Sequence, residues 1–369
     1  MTGERTEQGG RRREARAAGE SVAEVGIKAI AEALAISPST VSRALNGKYG
    51  VRTETRARIM DMAKRLGYVP HLGAKQLVGK SSNLVGLFAP ESQREASLGF
   101  VALFPPLQRQ LIAQGKHALI FSIPLANYEP GRFAECVLSR GLEGCILLPG
   151  FPEQHPMIAE AIRLGVPCVH FGTATGPRCA AVSSDNREGG RLAARLLYGL
   201  GHRRIGFIGG PPELRISRER YAGFCEGLAE FGLRHDPALA YEGSFSGASG
   251  AEAGQALWER TRRAGGMTAL FCANDLMAAG AIMRLAGLGV RIPEQLSVVG
   301  YDDDPFAAYL NPPLTTVHHD AEPIDPMAIG LLLEVLEGRE GRQVTLLPRI
   351  VERASAAAPG GTGPPPISS

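Results

Sequence analysis

The stretch from Ser37 to Asn46, SPSTVSRALN, carries side chains that suit contact with nucleic acid. Hydroxyl groups donate and accept hydrogen bonds, and an arginine guanidinium matches the paired acceptors on a guanine edge. At helical spacing, one face of this stretch is polar and the opposite face is small and apolar. The polar face therefore offers hydrogen-bonding groups to a DNA groove. Its outward residues are Ser39, Thr40, Ser42, Arg43 and Asn46.

The residues before this stretch complete a two-helix motif. Apolar residues recur at helical spacing over residues 27–34, and the small side chain of Ala31 allows two helix axes to approach closely. Ser37 can cap a second helix, and Pro38 suits its first position because no amide donor is needed there. The pattern predicts a helix-turn-helix whose second helix lies in the major groove; an ordinary helical hairpin is the alternative. The side chains predicted to pack inward are Ile27, Ile30, Ala31, Leu34, Val41, Ala44 and Leu45.

Length and charge narrow the class of protein. The chain has 369 residues, enough for two or three domains with sizeable cores. Its net charge of +3 is uneven, because residues 1–80 hold 15 Lys and Arg against 8 Asp and Glu, a net of +7. The remainder holds 25 against 29, a net of −4. A basic amino-terminal region on a mildly acidic body favours a polyanionic partner at one end.

Cysteine usage and hydropathy indicate a cytoplasmic protein. The six cysteines are scattered without a C-x-x-C pair, so we interpret them as buried thiols rather than a disulfide framework or zinc site. No stretch has the ~18 apolar residues of a membrane span, and no apolar segment follows the Arg-rich start as it would in a secretory signal. Residues 1–25 lack apolar periodicity and are predicted to be disordered.

A third helix and a short connecting segment follow the motif. Residues 55–66 have helical periodicity. Residues 71–80, HLGAKQLVGK, are predicted to form a helix that is marginal alone, because it is short and contains two glycines. We expect its folding to be coupled to DNA contact. In the third helix, the residues predicted to face inward are Ile59, Met60, Ala63 and Leu66.

From Asn83 onward, apolar strands alternate with helices. Continuous apolar strands separated by helices predict a parallel sheet that is covered on both faces. The strands are too numerous for one small sheet, so we expect two similar lobes, with ligands at the carboxyl ends of the strands. The predicted strands are 84–89, 118–123, 144–148, 168–171, 205–208, 240–243, 269–272 and 297–299. The predicted helices are 101–114, 131–139, 156–164, 189–200, 218–231, 247–262, 275–286 and 326–336.

The chain resembles the lactose-repressor (LacI/GalR) family of transcription factors. The resemblance rests on six stretches that occur in the family's order over about residues 26–355. They are ISPSTVSRALNGK, VRTETRARIMDMAKRLGYVPHLGAKQLVGK, SSDNREGGRLAARLLYGLGHRRIGFIGGPP, RERYAGF, CANDLMAAGA and LSVVGYDDDPFAAYLNPPLTTV. The resemblance implies an N-terminal all-α helix-turn-helix head with a hinge helix, followed by an α/β two-lobed core like a periplasmic binding protein. It also implies a homodimer that binds a palindromic operator and responds to a small effector.

Domain boundaries follow from combining this resemblance with the composition. His71 and Gly73 depart from the family's usual hinge residues. Residues 356–369, rich in Gly and Pro, are predicted to be a disordered tail. The predicted organisation is a disordered extension at 1–25, the head at 26–69, a hinge and linker at 70–82, the core at 83–355 and the tail at 356–369.

The resemblance implies DNA contacts for residues of the head and hinge. In the family, the first outward residues of the recognition helix choose the bases, and here these are Pro38, which cannot donate, and Ser39. Arg43 is expected to pair with guanine, with a phosphate contact as the alternative. Leu77 matches a leucine that family members wedge into the minor groove, with interface packing as the alternative. The full set is Ser37, Pro38, Ser39, Thr40, Ser42, Arg43, Asn46, Thr55 and Leu77.

A second set of residues matches the family's effector cleft. Arg220 offers a forked grip on a hydroxyl or carboxylate, Asn274 both donates and accepts, and Asp302 accepts from two neighbouring hydroxyls. Phe245 suits stacking on a sugar face. The alternative for Arg220 and Asp302 is a salt bridge across the cleft. Trp258 is expected in the core. Weaker effector candidates are Glu91, Ser92 and His319.

These patterns predict a DNA-binding transcriptional regulator, a repressor in the first instance, controlled by a sugar or sugar derivative. A purine-type corepressor is the alternative effector, and both induction and corepression stay open. A solute-binding module without DNA function is the alternative class, against which the helix-turn-helix argues. We expect no enzymatic activity, metal or cofactor, because residues 318–320 have no second ligand cluster and the glycines after strand 205–208 do not form G-x-G-x-x-G.

Overall fold

The computed structural model describes residues 26–45, 49–68, 81–91, 97–262, 265–318 and 324–360. The chain divides into two compact units, Met1–Ser81 and Ser82–Ser369. Within the described ranges, no helix is long and apolar enough to cross a membrane. Several positions named above lie outside the described residues: Asn46, His71, Gly73, Leu77, Ser92 and His319.

Three helices build the first unit: α1 (Ile27–Leu34), α2 (Pro38–Leu45) and α3 (Thr53–Arg65). Helix α1 ends where Ala35 adopts a positive φ of 53°, which lets the amide of Ile36 donate to the carbonyl of Ala31 at 3.0 Å. The tight turn therefore brings α2 against α1. The buried side chains that the three helices share are Ile30, Ala31, Val41, Ala44, Ile59 and Ala63.

One inward prediction for α3 is wrong. Met60 is 53% exposed, whereas Met62 and Leu66 pack against the core of the head. The helical period explains the difference, because Met60 follows the buried Ile59 by one residue and is rotated away from its face.

Two α/β lobes make up the second unit, and their elements alternate along the chain. The strands are β1 (Leu84–Pro90), β2 (His117–Ile123), β3 (Gly144–Leu147), β4 (Cys168–Phe171), β5 (Cys179–Ser184), β6 (Ile205–Gly209), β7 (Ala240–Glu242), β8 (Ala269–Cys272), β9 (Ser297–Tyr301), β10 (Thr315–His318), β11 (Gln343–Leu346) and β12 (Arg349–Val351). The helices are α4 (Ser97–Ala113), α5 (Arg132–Arg140), α6 (Pro156–Leu164), α7 (Asn186–Gly199), α8 (Arg215–Ala229), α9 (Gly247–Thr261), α10 (Asp275–Gly287) and α11 (Ile324–Leu336).

The N-lobe is a parallel sheet with the strand order β11-β5-β4-β3-β1-β2. The strand β1, which lies between β3 and β2, is buried over most of its length, and this explains the unbroken apolar run LVGLFA in the sequence. Apolar side chains form two clusters, one that includes α4 and α11 and one that includes α5 and α6. The sheet is therefore covered on both faces, as its sequence predicts.

The C-lobe sheet has the order β12-β10-β9-β8-β6-β7, in which β12 alone is antiparallel to its neighbour among the described strands. Helix α7 packs on α8, and α9 packs on α10. The first pair touches backbone to backbone. A Cβ at Gly190 of α7 would lie 2.2 Å from the carbonyl oxygen of Arg220, and one at Gly223 of α8 would lie 1.8 Å from that of Arg187. Glycine therefore sets the distance between these two helices.

The polypeptide passes between the lobes three times. It leaves the N-lobe after β5 and enters the C-lobe at α7. It returns between β10 and α11, over a segment that includes residues 319–323, which lie outside the described residues. It crosses again between β11 and β12, through residues 347–348. Each lobe is thus assembled from separate stretches of sequence.

Four strands, β5, β10, β11 and β12, are absent from the sequence-based prediction. The strands β10, β11 and β12 have only three or four residues each and contain Thr, Gln or Arg rather than a continuous apolar run. The strand β5 has six residues, and its apolar run ends in two serines.

The predicted tail also begins too early. Ala357 accepts a hydrogen bond from Ser297 Oγ at 2.9 Å, and its carbonyl lies 2.9 Å from Nε2 of the buried His202. Residues 356–357 therefore complete the C-lobe core, because they satisfy polar groups that would otherwise be buried without partners.

Candidate functional site

The first candidate site is the outward face of α2. Ser37, Pro38 and Ser39 are exposed at the start of this helix. The hydroxyl of Ser37 accepts the amide of Thr40 at 3.2 Å and lies 2.8 Å from the hydroxyls of Ser39 and Thr40. Ser37 therefore caps the helix, as its sequence position predicts. The result is a group of hydroxyls at a helix N-terminus, where free amides favour an anion such as a phosphate.

Arg43 is exposed on α2, one turn beyond this group. One nitrogen of its guanidinium, Nη1, lies 4.0 Å from the position that a Cβ would take at Gly50. Gly50 has a φ of +95°, a conformation that favours glycine, so the loop passes beside the arginine without a side chain. Thr55 lies in the first turn of α3 and is half-buried. The described DNA-contact candidates therefore lie on α2, on its cap, or at the start of α3.

The second candidate site lies at the carboxyl edge of the C-lobe sheet, around Arg220. Its side chain is only 7% exposed. Nε of Arg220 donates to Oδ1 of Asn186 at 3.0 Å. Nη1 donates to the carbonyl of Ala273 and lies 3.3 Å from Oδ1 of Asp302. The guanidinium carbon lies 3.6 Å from the ring centroid of Tyr301. Hydrogen bonds and a cation–π contact thus fix the guanidinium in one orientation.

Asn274 connects the start of α10 to Phe245. Its Oδ1 accepts the amide of Met277 at 2.9 Å, which caps α10, and its Nδ2 donates to the carbonyl of Phe245 at 3.0 Å. Phe245 has a positive φ of 61°, an uncommon conformation for an aromatic residue. Its ring lies over Gly210, where a Cβ would be 2.1 Å from the ring atom Cζ. The Asn274 amide thus fixes the backbone of Phe245, and Gly210 leaves room for its ring.

Asp302 occupies a strained turn after β9. Its φ is +113°, and that of Asp303 is +57°. The amide of Asp302 donates to the carbonyl of Val317 at 2.8 Å, and the carboxylate of Asp303 accepts from Arg353 at 2.6 Å. Strained backbone that is held by several contacts is typical of a functional turn.

The fully buried carboxyl of Asp275 links this turn to α10. It accepts hydrogen bonds from the Thr316 hydroxyl at 2.5 Å and from the Asp304 amide at 2.8 Å. Burial, together with the nearby charge of Asp302, raises the pKa of Asp275 well above its ordinary value. Asp275 therefore ties the Asp302 turn to the helix that Asn274 caps.

The structure brings Arg220, Asn274 and Asp302 together, although they are far apart in sequence. The ion pair between Arg220 and Asp302 corresponds to the salt-bridge alternative, but one feature of that alternative is wrong. Both residues belong to the C-lobe, because α8 and β9 are elements of the same layered unit, so the pair does not cross the cleft. Glu91 belongs to the other lobe, where it is exposed directly after β1.

Three residues of the cluster were missed from sequence: Asn186, Asp275 and Tyr301. Asn186 follows the apolar stretch CAAVSS, and recognising that stretch as a strand would have placed Asn186 at a carboxyl strand end. Asp275 directly follows Asn274, and Tyr301 directly precedes Asp302. Their positions next to two predicted site residues were the signal that could have identified them. Trp258 packs against the C-lobe core, in agreement with its predicted role.

Comparison with known families defines the class of protein. Residues 26–71 match the model for bacterial regulatory proteins of the lacI family, and residues 194–356 match the periplasmic binding protein-like domain. The HTH-type transcriptional repressor PurR of Escherichia fergusonii is 30% identical over 336 residues, which cover 90% of this chain and 96% of that protein.

Solved structures agree with this class. The lac repressor dimer bound to operator and the anti-inducer ONPF is 26% identical, with a TM-score of 0.76, and covers 91% of this chain and 100% of its own. The transcriptional regulator CelR in complex with cellobiose is 28% identical, with a TM-score of 0.66, and covers 90% of this chain and 100% of its own. The chain therefore belongs to the lacI family of bacterial regulatory proteins, with a helix-turn-helix DNA-binding head and a periplasmic-binding-protein-like effector domain.

Proposed function

We propose that this protein represses transcription by binding a palindromic operator through its head, and that a small effector bound to the C-lobe cluster controls its operator affinity. The observation that carries the proposal is the pairing of two sites in one chain. One is an exposed row of hydroxyls and an arginine on α2, and the other is a rigid polar cluster at a carboxyl strand edge. Such an edge is where α/β sheets bind ligands.

Direct base contact by Arg43 supplies the first test. Arg43→Ala is expected to weaken operator binding by about 1–3 kcal/mol, with little loss on random DNA, because a paired contact to guanine discriminates among bases. Arg65→Ala is the matched control, since Arg65 is also an exposed arginine of the head but lies on α3 and pairs with Asp61. Titration of labelled operator and random duplexes at fixed salt measures both. Equal losses of Arg43→Ala on the two duplexes would assign Arg43 to the phosphate backbone.

For the effector we propose a sugar or sugar derivative. A fixed arginine, a carboxylate and an aromatic ring are the groups that bind polyols: Arg220 and Asp302 hydrogen-bond to hydroxyls, and Phe245 stacks on an apolar sugar face. The CelR–cellobiose neighbour supports this choice. A purine-type corepressor is the second candidate, supported by the identity with PurR repressors. A sugar inducer would close the lobes into a state that releases DNA, and a corepressor would do the reverse.

A thermal-shift screen with sugars, sugar acids and purines distinguishes these effectors, because a ligand that binds the folded state raises the melting temperature. The ligand found is then titrated calorimetrically into the wild type and Asp302→Ala. We expect the variant to lose the ligand response and to keep operator binding, since the two sites are coupled but separate. Normal binding and response in Asp302→Ala would refute the effector site.

We also propose that the protein acts as a homodimer. One three-helix head has little surface for operator contact, whereas two linked heads gain from effective concentration. Both lobes expose large apolar side chains that a second copy could cover. In the N-lobe these include Ile112 and Ile120, and in the C-lobe Met283 and Leu288. The solved lac repressor neighbour is a dimer on its operator.

Light scattering at micromolar concentration tests this assembly. We expect a dimer for the wild type and a monomer for the double variant Ile120→Asp and Met283→Asp, because charges at these positions would be buried unpaired in the interface. A wild-type monomer with intact operator affinity would overturn the proposal.

A further inference from the structure

An acidic side chain of one lobe meets two arginines of the other. Glu153 lies in the N-lobe, in the loop that joins β3 to α6. Its Oε1 lies 3.0 Å from Nε of Arg215, and its Oε2 lies 3.6 Å from Nη2 of Arg218. Both arginines lie at the start of α8 in the C-lobe. The contact therefore joins the carboxyl strand edge of one sheet to that of the other.

Each side of this contact is held in place by its own lobe. In the N-lobe, the Thr173 hydroxyl donates to Oε1 of Glu153 at 3.4 Å. In the C-lobe, Nη1 of Arg215 pairs with Glu219 at 2.6 Å, one helical turn later. Nη1 of Arg218 donates to the carbonyl of Pro212 at 2.7 Å. Because each of these anchors joins residues of the same lobe, the contact can form without reorienting the side chains on either side.

The same helix carries this contact and the central residue of the effector cluster. Arg215 and Arg218 precede Arg220 on the first two turns of α8. A change in the distance between the lobes therefore acts on the helix that positions Arg220.

We propose that Glu153, Arg215 and Arg218 form an electrostatic latch that favours the approach of the two lobes. The latch deepens the proposed function and rests on it for its consequence at the operator. An effector then shifts an equilibrium between separated and approached lobes that the latch already biases toward approach. Loss of the latch therefore changes the ligand concentration that is needed for a response. Arg215 contributes more to the latch than Arg218, because its side chain is 18% exposed, against 51% for Arg218, and is therefore less screened by solvent.

Hydrogen exchange of the full-length protein, followed by mass spectrometry, tests the latch without DNA or ligand. Glu153→Gln is the test variant, because it removes the charge and keeps the shape. Glu219→Gln is the matched control, because it removes a carboxylate from the same arginine but within one lobe. We expect Glu153→Gln to speed exchange about two- to five-fold in peptides covering 149–155 and 211–218, the range for a partly exposed ion pair. Glu219→Gln is expected to change the exchange of peptide 149–155 less than Glu153→Gln does, because the charge of Glu153 stays in place.

Salt gives an independent arm of the same experiment. Raising NaCl to 1 M should speed exchange of these peptides in the wild type and have little further effect in Glu153→Gln, because screening and substitution remove the same interaction. Unchanged exchange in Glu153→Gln, or equal acceleration in Glu219→Gln, would overturn the latch. Operator titration of the same variants tests the proposed function separately. If Glu153→Gln alters exchange but neither this variant nor the wild type binds operator, only the proposed function is refuted.

Discussion

Replacement of Gly190 by alanine is expected to force α7 and α8 apart. In a helix exposed to solvent, this change normally stabilises, because alanine has a higher helix propensity by about 1 kcal/mol. Here the new Cβ would lie 2.2 Å from the carbonyl oxygen of Arg220 and 2.7 Å from the amide nitrogen of Phe224. Both atoms belong to backbone inside a helix, so no side-chain rotation can relieve the contact. The helices must separate instead.

The size of the effect follows from these distances. A Cβ contact of 3.4 Å is ordinary, so the gap must open by about 1.2 Å, the difference between 3.4 and 2.2 Å. Overpacking of this kind costs about 1–3 kcal/mol, and rigid backbone favours the upper end. After the gain in helix propensity of about 1 kcal/mol, a net loss of about 2 kcal/mol remains. Because the atom displaced is the carbonyl of Arg220, the variant should also weaken effector binding.

Gly199 supplies the control, because it ends the same helix and a Cβ there would meet nothing within 4 Å. Gly199→Ala should be neutral or stabilising by up to about 1 kcal/mol. Urea unfolding is followed by the fluorescence of Trp258, the single tryptophan of the chain, which packs against the C-lobe core. With a slope of about 2 kcal/mol per M, the midpoint of Gly190→Ala should fall by about 1 M. Overlapping curves for the two alanine variants would refute the close helix contact.

Two further predictions concern the N-lobe. Burial, aided by the charge of Arg215, lowers the pKa of His170 to about 4. Below pH 6.5 the unfolded chain therefore binds more protons than the folded protein, and the free energy of unfolding should fall as the pH drops from 6.5 toward 4. An NMR titration midpoint of His170 near 6.5 would contradict this prediction. Glu160 is buried and accepts from the Tyr128 hydroxyl at 2.7 Å and the Ala134 amide at 3.0 Å. Glu160→Gln should therefore lower the free energy of unfolding by about 1–3 kcal/mol, more than Tyr128→Phe does, because the carboxylate accepts from both donors. Thermal unfolding measures both variants, and a larger loss in Tyr128→Phe would contradict this order.

Sequence periodicity predicted the helices and strands whose own residues carry a clear apolar pattern. The helix-turn-helix was recognisable because the cap, the first proline and the apolar spacing all lie within residues 27–45. The buried strand β1 reads as an unbroken apolar run. The strands β11 and β12 could not be found in this way, since each is held by a partner strand distant in sequence. Their polar residues alternate with too few apolar ones to indicate a strand.

In the candidate sites, too, the sequence predicted some features and could not predict others. Arg220, Asn274 and Asp302 were chosen through family motifs, and the structure brings them into one cluster. The contacts that orient them could not be derived from spacing. Asn186 reaches Arg220 only because Gly190 and Gly223 let α7 and α8 touch, and a close contact between two backbones leaves no trace in a hydropathy pattern.

The three passages between the lobes have a consequence for synthesis on the ribosome. The N-lobe sheet is completed by β11 and covered by α11, both of which are made after β10 of the C-lobe. Its first five strands must therefore wait, with the β5 edge open, while more than a hundred further residues emerge. The C-lobe likewise stays incomplete until β12. A nascent chain halted before residue 343 should consequently depend on chaperones, since an unpaired strand edge and an uncovered apolar face invite aggregation.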